Sequence, residues 1–308
     1  MSYAAAPGRR IMGAQRREIG MSMLLALLTG AVISVMVSIN GGLTSCVGEY
    51  AAAVIIHVVG TAFALILCLF RRERIFARRH APAWAYLGGV IGVLTTFFNN
   101  FAFGRISVIN ITALGLLGQT VTAALMDGLG LLSMPRRRIA PGTWLGIGIS
   151  VAGVAVMLDA SIADAALAVL LSIAAGATNV FSRTVNARLS QQAGALTGSF
   201  FNHLTGLPCC LLLWLLAGGA GSGIAAVPAP WMLCGGMLGV AVVLLLNITV
   251  PRIAAFRLTL LSFLGQIFTG FAIDLALGQS VSGGLFWGGV ICATGLLATM
   301  AMEALGKG

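Results

Sequence analysis

Two stretches of this sequence are copies of each other: residues 114–128 read LGLLGQTVTAALMDG, and residues 261–275 read LSFLGQIFTGFAIDL. Six of the fifteen aligned positions are identical, at a constant separation of 147 residues: Leu114/Leu261, Leu117/Leu264, Gly118/Gly265, Gln119/Gln266, Thr122/Thr269 and Asp127/Asp274. Each copy places a polar Gln inside a long apolar run. The separation is close to half of the 308-residue chain, so the pair predicts a duplicated protein with a site between its two halves.

The composition predicts an integral membrane protein. Hydrophobic residues make up 59% of the chain, charged residues only 8%, and the mean hydropathy is +1.02, whereas soluble domains carry about 25% charged residues. One membrane span needs about 20 apolar residues. The chain can therefore hold about ten helices with short loops, and no sizeable soluble domain.

The hydropathy pattern predicts an all-α protein with ten transmembrane helices. We expect these at residues 21–39, 50–70, 83–103, 106–127, 141–158, 165–183, 193–216, 229–250, 253–277 and 281–301. They divide the chain into a basic N-terminal arm (1–20), a first five-helix repeat (21–158) and a second five-helix repeat (165–301), with a hinge at 159–164. The run at 21–39 is too long for a signal-peptide core, so we interpret it as the first helix.

The net charge of +10 comes from Lys and Arg residues clustered at the predicted helix ends. With the N-terminus inside and ten spans, every Lys and Arg except Arg105 lies on the inner side, as the positive-inside rule requires. This distribution predicts that both termini are cytoplasmic and does not favour nucleic-acid binding. Arg136, Arg137 and Arg138 are interpreted as topology determinants. Arg183, near the end of the sixth predicted helix, is expected to reach the inner surface.

The repeat continues beyond the opening stretches. Further matched pairs, 146 or 147 residues apart, are Asn40/Asn186, His57/His203, Trp84/Trp231, Gly88/Gly235, Gly89/Gly236, Gly92/Gly239, Asn100/Asn247 and Arg105/Arg252. Because each half has an odd number of helices, the halves must be inverted relative to each other. Inverted repeats are typical of transporters that bind their substrate near the middle of the bilayer. The paired glycines of the third and eighth helices are expected to let helices approach closely.

The paired WxxxGGxxG of Trp84–Gly92 and Trp231–Gly239, together with the paired LGQ…D, resembles the drug/metabolite transporter superfamily. The resemblance is closest to its YdcZ-like branch, in a form with two fused halves, and extends over about residues 20–303. It implies a ten-helix carrier of the bacterial inner membrane that works by alternating access, and it implies no particular substrate. Small multidrug exporters of this superfamily carry a central Glu in helix 1, whereas residues 21–39 contain no acidic residue.

Polar side chains at membrane depth are the candidates for substrate contact, because an unsatisfied polar group in hydrocarbon is costly. The expected substrate-binding residues are Gln119, Gln266, Thr122, Thr269, His57, His203, Asn100 and Asn247. Each has a structural alternative. The Gln and Thr side chains can join helices by hydrogen bonds worth about 0.6–2 kcal/mol, the His rings can be neutral and bonded to the backbone, and the Asn side chains can lie at loop edges.

Asp127 is expected near the inner end of the fourth helix and Asp274 near the outer end of the ninth. With Arg105 and Arg252 they form the predicted coupling or gating set, since a carboxylate inside a membrane protein usually has a partner or a function. Two structural alternatives are a contact between each Asp and an Arg, and an Asp that sits at a helix end. Asn40 and Asn186 are expected to end helices 1 and 6.

The predicted function is secondary transport of a small organic solute through the lipid bilayer, with a proton as a possible coupling ion, by a monomer or homodimer. The alternatives are an intramembrane scaffold and a flippase-like protein that handles lipids. No Walker loop, HExxH or CxxC is present, and no GxSxG has supporting residues, so we expect no cofactor, no metal site and no enzyme. Polar residues repeated in both halves favour the carrier, since alternating access uses a symmetric site.

Overall fold

The computed structural model describes residues 7–73, 75, 81–102, 105–106, 108–137, 141–158, 165–219, 228–276, 278 and 283–305. Inside the helices, the side chains of residues 7–17, 100, 108, 109, 274, 285, 303 and 304 are outside this description. The predicted hinge at 159–164 and the predicted topology determinant Arg138 also lie outside the described residues.

Ten helices make up most of the described chain, which confirms the all-helical prediction. They are α1 (Pro7–Val47), α2 (Glu49–Phe70), α3 (Gly88–Ala102), α4 (Val108–Leu129), α5 (Pro141–Met157), α6 (Ala166–Ala193), α7 (Ala195–Leu216), α8 (Cys234–Thr249), α9 (Ala255–Ala276) and α10 (Gly283–Leu305). Short 3-10 turns, Ala83–Leu87 and Pro230–Leu233, lead into α3 and α8. Among the described residues, six helical segments are long and apolar enough to cross a membrane, and three shorter ones are also apolar.

The first two helices of each half are joined by a single glycine. Gly48 links α1 to α2 with φ 79° and ψ 161°, and Gly194 links α6 to α7 with φ 95° and ψ 147°. Side chains with a Cβ rarely adopt this conformation, whereas glycine does so without strain. The two helices can therefore reverse direction without a loop.

The single-glycine links correct two predicted helix ends. Helix α1 continues to Val47 and α6 to Ala193, eight and ten residues beyond the ends predicted at 39 and 183. Asn40 and Asn186 consequently lie inside α1 and α6 rather than at their ends. The prediction failed because a polar Asn resembles a loop signal, while the real turn needs only one glycine.

Helix packing follows the internal repeat. Helix α1 packs on α9 and α8, and its counterpart α6 packs on α4 and α3. Helix α2 packs on α8, and its counterpart α7 packs on α3. Three further pairs join a helix to its own counterpart: α2 with α7, α4 with α9, and α5 with α10. Each of these contacts of a helix in one half therefore has an equivalent contact of its counterpart in the other half. The two halves are related by a pseudo-two-fold axis.

Matched glycines carry the closest contacts between the halves. A Cβ added at Gly89 would collide with the backbone carbonyl of Asn202, and one added at Gly236 would meet the carbonyl of Ile56 at 2.7 Å. Glycines at positions 30, 118, 176 and 265 also face backbone atoms of a helix in the other half. The expected close approach of the third and eighth helices is therefore confirmed, and such contacts are the usual means of joining helices in lipid. The backbone contacts are made by Gly89 and Gly236, whereas the expected Gly88 and Gly235 face the side chains of Asn186 and Asn40.

The counterpart helices α5 and α10 run antiparallel. Gly146 lies against the backbone of Gly295, while Gly153, two turns further along α5, lies against Gly288, two turns earlier in α10. An added Cβ would lie 2.6–2.8 Å from the facing carbonyl oxygen at Gly153, Gly288 and Gly295. These glycine positions therefore tolerate no side chain larger than hydrogen, while Cys292 and Thr299 fill the spaces between them.

We expect Gly194→Ala to lower the free energy of unfolding by about 1–3 kcal/mol, the cost of holding a non-glycine residue in this backbone conformation. Thermal unfolding of the purified protein in detergent, followed by circular dichroism, measures the effect. Gly148→Ala is the matched control, because Gly148 is helical and has no heavy atom within 4 Å of an added Cβ. Equal melting temperatures for the two variants would contradict the single-glycine turn.

Candidate functional site

The structure brings the paired histidines together where α2 crosses α7. The ring centroids of His57 and His203 are 5.8 Å apart, with an angle of 51° between the rings. Each ring covers a glycine of the other half: a Cβ added at Gly60 would collide with the His203 ring, and one added at Gly206 would lie 2.7 Å from Nε2 of His57. The close crossing of α2 and α7 therefore needs a histidine on each helix and a glycine facing it on the other.

Each histidine is also bonded to its own helix. Nδ1 of His57 lies 2.9 Å from the carbonyl oxygen of Ala53, and Nδ1 of His203 lies 2.9 Å from that of Ser199. A carbonyl can only accept, so each Nδ1 carries the hydrogen and donates it. His203 is only 4% exposed. This arrangement corresponds to the structural alternative, in which a histidine is bonded to a neighbouring backbone group.

The paired glutamines lie half-buried near the middle of α4 and α9. Nε2 of Gln266 donates a long hydrogen bond of 3.4 Å to the carbonyl of Ser262 in its own helix. Within the described residues, the Gln119 amide makes no hydrogen bond. Thr122 and Thr269 are half-buried one turn further along. Both amides thus keep most of their hydrogen-bonding capacity available at membrane depth.

A third amide, Asn179 of α6, was missed by the sequence analysis. Gly176, Arg183 and Asn186 share its side of the helix at spacings of three, four and seven residues, and all three are buried. Asn179 itself is exposed, and the exposed apolar Leu170 lies on the opposite side of the helix. Asn179 therefore faces a space between helices rather than the outer surface. An Asn in the middle of an apolar run was the available signal.

Asp127, at the end of α4, caps the beginning of α9. Its Oδ1 accepts a hydrogen bond of 2.9 Å from the backbone N–H of Ala255, and its Oδ2 accepts one of 3.0 Å from that of Phe256. Free N–H groups and the helix dipole make a helix N-terminus a favourable place for a carboxylate. The carboxylate therefore joins the two halves at this end, as the helix-end alternative predicts.

Arg183 was expected at the inner surface, and this prediction is wrong. The side chain is 5% exposed, and its Nη2 donates to Oγ1 of Thr259 at 2.5 Å and to the carbonyl of Ala255 at 3.4 Å. The error follows from the predicted helix end at 183, because α6 continues for ten more residues. Arg183 instead joins α6 to the first turn of α9, beside Asp127.

More polar contacts lie at the same end of the bundle, around the link between α6 and α7. Nδ2 of Asn186 donates to Oδ1 of Asn202 at 2.7 Å, and Nδ2 of Asn247 donates to the carbonyl of Ala195 at 2.9 Å. The Thr197 hydroxyl donates to the Glu73 carboxylate. Asn247, an expected substrate residue, is thus buried against the α6–α7 link.

The two ends of the bundle differ. Val37 of α1 is 57% exposed, whereas Arg183, at the matched position of α6, is 5% exposed. Ser38 and Gly41 are likewise exposed, while the matched Thr184 and Ala187 are buried. The end of the bundle at the α6–α7 link is therefore closed, and the end at the α1–α2 link is open.

Neither Arg105 nor Arg252 is an electrostatic partner of Asp127. Arg105 is exposed, lies 4.0 Å above the ring of Phe101 and donates to the Phe101 carbonyl at 2.5 Å. Arg252 is exposed, and the electrostatic partners of Asp127 are Arg137 and Arg183 instead. The side chains of Asn100 and Asp274 are outside the description. Among the described residues, no group of three or more His, Cys, Asp or Glu could hold a metal ion.

We expect Gly60→Ala to destabilise the protein, and His203→Ala to relieve part of that loss, because the added methyl group and the imidazole ring compete for one space. Residues in such contact show coupling energies of about 0.5–3 kcal/mol. Thermal unfolding of both single variants and the double variant gives this coupling. Gly41→Ala combined with His203→Ala is the control, since Gly41 has no neighbour within 4 Å of an added Cβ. Strictly additive losses for the Gly60 pair would show that the ring does not fill this space.

Asp127→Ala should open the closed end, because loss of a helix cap costs about 0.5–2 kcal/mol. The reporter is Thr184→Cys, in a background without the native cysteines. Thr184 is 2% exposed and lines a small pocket with Asp127. We expect faster reaction of this reporter with a membrane-impermeant maleimide in the Asp127→Ala protein. Glu18→Ala, at an exposed position of α1, should leave the rate unchanged, and an unchanged rate for Asp127→Ala would contradict the closure.

Comparison with known families and structures agrees with this architecture. The sequence profile of the family described as "Putative inner membrane exporter, YdcZ" matches the chain twice, at residues 21–156 and 167–301. No curated protein sequence matches it.

Among solved structures, 28 chains match. One, titled "Crystal structure of protein", superposes with a TM-score of 0.70 and covers 92% of this chain and 96% of its own, at 14% sequence identity. A likeness at this identity shows the fold alone. The two profile matches follow the two halves, α1–α5 and α6–α10, and the chain belongs to the YdcZ-like family of inner-membrane exporters in the drug/metabolite transporter superfamily, a family of transporters rather than enzymes.

Proposed function

We propose that this protein is a secondary carrier that moves a small organic solute across the inner membrane by alternating access. The observation that carries the proposal is the unequal closure of two related ends. The α6–α7 end is closed by buried residues and by two contacts between the halves, Asp127 with the start of α9 and Thr197 with Glu73, whereas the matched α1–α2 end is open. A pseudo-symmetric bundle that closes one end at a time can expose a central site to each side in turn.

In this proposal all ten helices cross the membrane, with both termini in the cytoplasm. The charge distribution supports this orientation, since every Lys and Arg except Arg105 then lies on the inner side. The closed end faces the cytoplasm and the open end faces outward. This orientation is wrong if the Thr184→Cys reporter in the Asp127→Ala protein reacts only with maleimide added outside intact cells.

The solute binds, in this proposal, between the two halves near Gln119, Gln266 and Asn179. These three amides lie on α4, α9 and α6, and Thr122 and Thr269 extend the same polar region. Amide groups can both donate and accept hydrogen bonds, so they suit a polar solute. The His57–His203 pair, packed on facing glycines, serves as the fixed crossing about which the halves move.

The alternative, an intramembrane scaffold, gives no reason for the half-buried Gln119 to lack a hydrogen-bond partner within the described part of the chain. Polar groups that only join helices should bond across the interface.

An internal pH dye in proteoliposomes tests whether a proton is the coupling ion.

We expect Gln119→Leu combined with Gln266→Leu to lower solute exchange at least about fivefold, since two lost hydrogen bonds cost about 1–3 kcal/mol. Radiolabelled amines, amino acids, sugars and nucleosides are tested for exchange in proteoliposomes of the purified protein. Gln191→Leu is the control, because Gln191 is exposed near the end of α6. Normal exchange by the double variant would remove the two amides from the site. Silence of the folded wild-type protein across the panel would contradict the carrier.

A further inference from the structure

Arg183 is a buried cation that uses few of its hydrogen-bond donors. A guanidinium carries five N–H groups in a rigid fork, and here only Nη2 donates, to Thr259 and to the Ala255 carbonyl. Nε and Nη1 make no hydrogen bond within the described residues, and both retain some accessible surface. Nor does any described carboxylate oxygen lie within ion-pair distance of Arg183. Buried charges are normally paired and hydrogen-bonded, so these donors indicate a missing anionic partner.

The surrounding charges do not supply that partner. Asp127 interacts electrostatically with Arg183, but its two oxygens are bonded to the N–H groups of Ala255 and Phe256. Asp127 also interacts electrostatically with Arg137. Arg257 in turn interacts electrostatically with both Asp127 and Arg137. One half-buried carboxylate is thus shared by several arginines at this end of the bundle.

The fold itself does not require a cation at this position. Val37 occupies the matched position of α1, where the helix makes the equivalent contacts with α8 and α9. Breaking the repeat with a buried charge costs desolvation energy that an apolar side chain would avoid. A residue that is costly, and absent from the related half, points to a function for the second half alone.

Arg183 also lies directly next to the proposed solute region. Asn179, which faces the space between the helices, is one turn away on the same side of α6. Thr259, the hydroxyl partner of Arg183, is two turns from Gln266 on the same side of α9. Seen from the open end, Arg183 and Thr259 lie below the amides, at the closed end of this space.

We propose that the transported solute carries an anionic group, a carboxylate or phosphate, and that Arg183 binds this group together with the Thr259 hydroxyl. Arg183 is suited to this because its planar fork matches both groups in bidentate geometry. Asp127 holds the charge balance of the closed end while the solute is absent. This inference rests on the proposed carrier function, and it names the charge of the solute that the same region takes.

Probes that differ only in charge test the proposal by binding, without transport. Benzoate, benzamide and benzamidine have similar shapes and carry one negative, no and one positive charge. Inorganic phosphate is a fourth probe. The full-length protein, purified in uncharged detergent, is titrated with each probe and its melting temperature is recorded. We expect stabilisation by benzoate or phosphate, and none by benzamide or benzamidine.

Variants assign the effect to Arg183. Arg183→Gln should raise the anion concentration needed for half of the stabilisation at least about tenfold, the usual loss for a charge-assisted hydrogen bond. Arg183→Lys should retain part of the effect. Arg71→Gln is the control, because Arg71 is an exposed arginine just beyond the end of α2. If Arg183→Gln lowers the starting melting temperature, the shift on adding anion still reports binding.

Three results would overturn the proposal: no stabilisation by either anion, equal stabilisation by benzamide or benzamidine, and an unchanged anion effect in Arg183→Gln. Stabilisation by added phosphatidylglycerol, but not by the soluble anions, would also overturn it, because the site would then hold a lipid headgroup. Exchange of radiolabelled solutes distinguishes a failure of the anion proposal from a failure of the carrier proposal. Exchange of benzamide or benzamidine alone would leave a carrier without anion selectivity, and no exchange of any solute would contradict the carrier.

Discussion

Close contact between backbones of the two halves is the constraint on which the rest of the structure depends. Helices in lipid gain little from burying apolar side chains, so their association relies on packing and short-range polar contacts. Here the carbonyls of Asn202 and Ile56 lie against Gly89 and Gly236, and the α5–α10 pair meets through glycines along its length. The repeated glycines therefore fix which helices are neighbours, and this arrangement places the polar amides between the halves.

The sequence predicted the repeat, the ten helices and the close glycine contacts, because each depends on composition or on residues repeated at a fixed separation. Helix ends were harder. One glycine with positive φ replaces a loop after Val47 and again after Ala193, and nothing in the hydropathy pattern distinguishes such a turn from a continuing helix. The error at residue 183 then misplaced Arg183, since a residue near a helix end is expected at the surface while one ten residues inside is not.

The candidate site was predicted only in part. The repeat identified Gln119 and Gln266, and the helix-end alternative for Asp127 is what the structure shows. Asn179 was not found, and Arg183 was not assigned to the site, because a search for matched polar residues passes over positions whose counterparts, here Ile33 and Val37, are apolar. Which residues share a space between helices depends on the rotation of each helix, and that is set by packing with several neighbours at once.

The same unmatched residues explain why one end of the bundle is closed. A perfectly symmetric chain would close either end with equal free energy. At the α6–α7 end, Arg183 donates to Thr259 and Asn202 accepts from Asn186. Val37 and Ile56, at the related positions of the open end, have apolar side chains that can make neither bond. Each net hydrogen bond contributes about 0.5–1.5 kcal/mol, so a few of them shift a two-state equilibrium by one or more powers of ten. A solute anion bound by Arg183 and Thr259 competes with the Ala255 carbonyl for the guanidinium donors, and loss of that bond at the start of α9 weakens this closure.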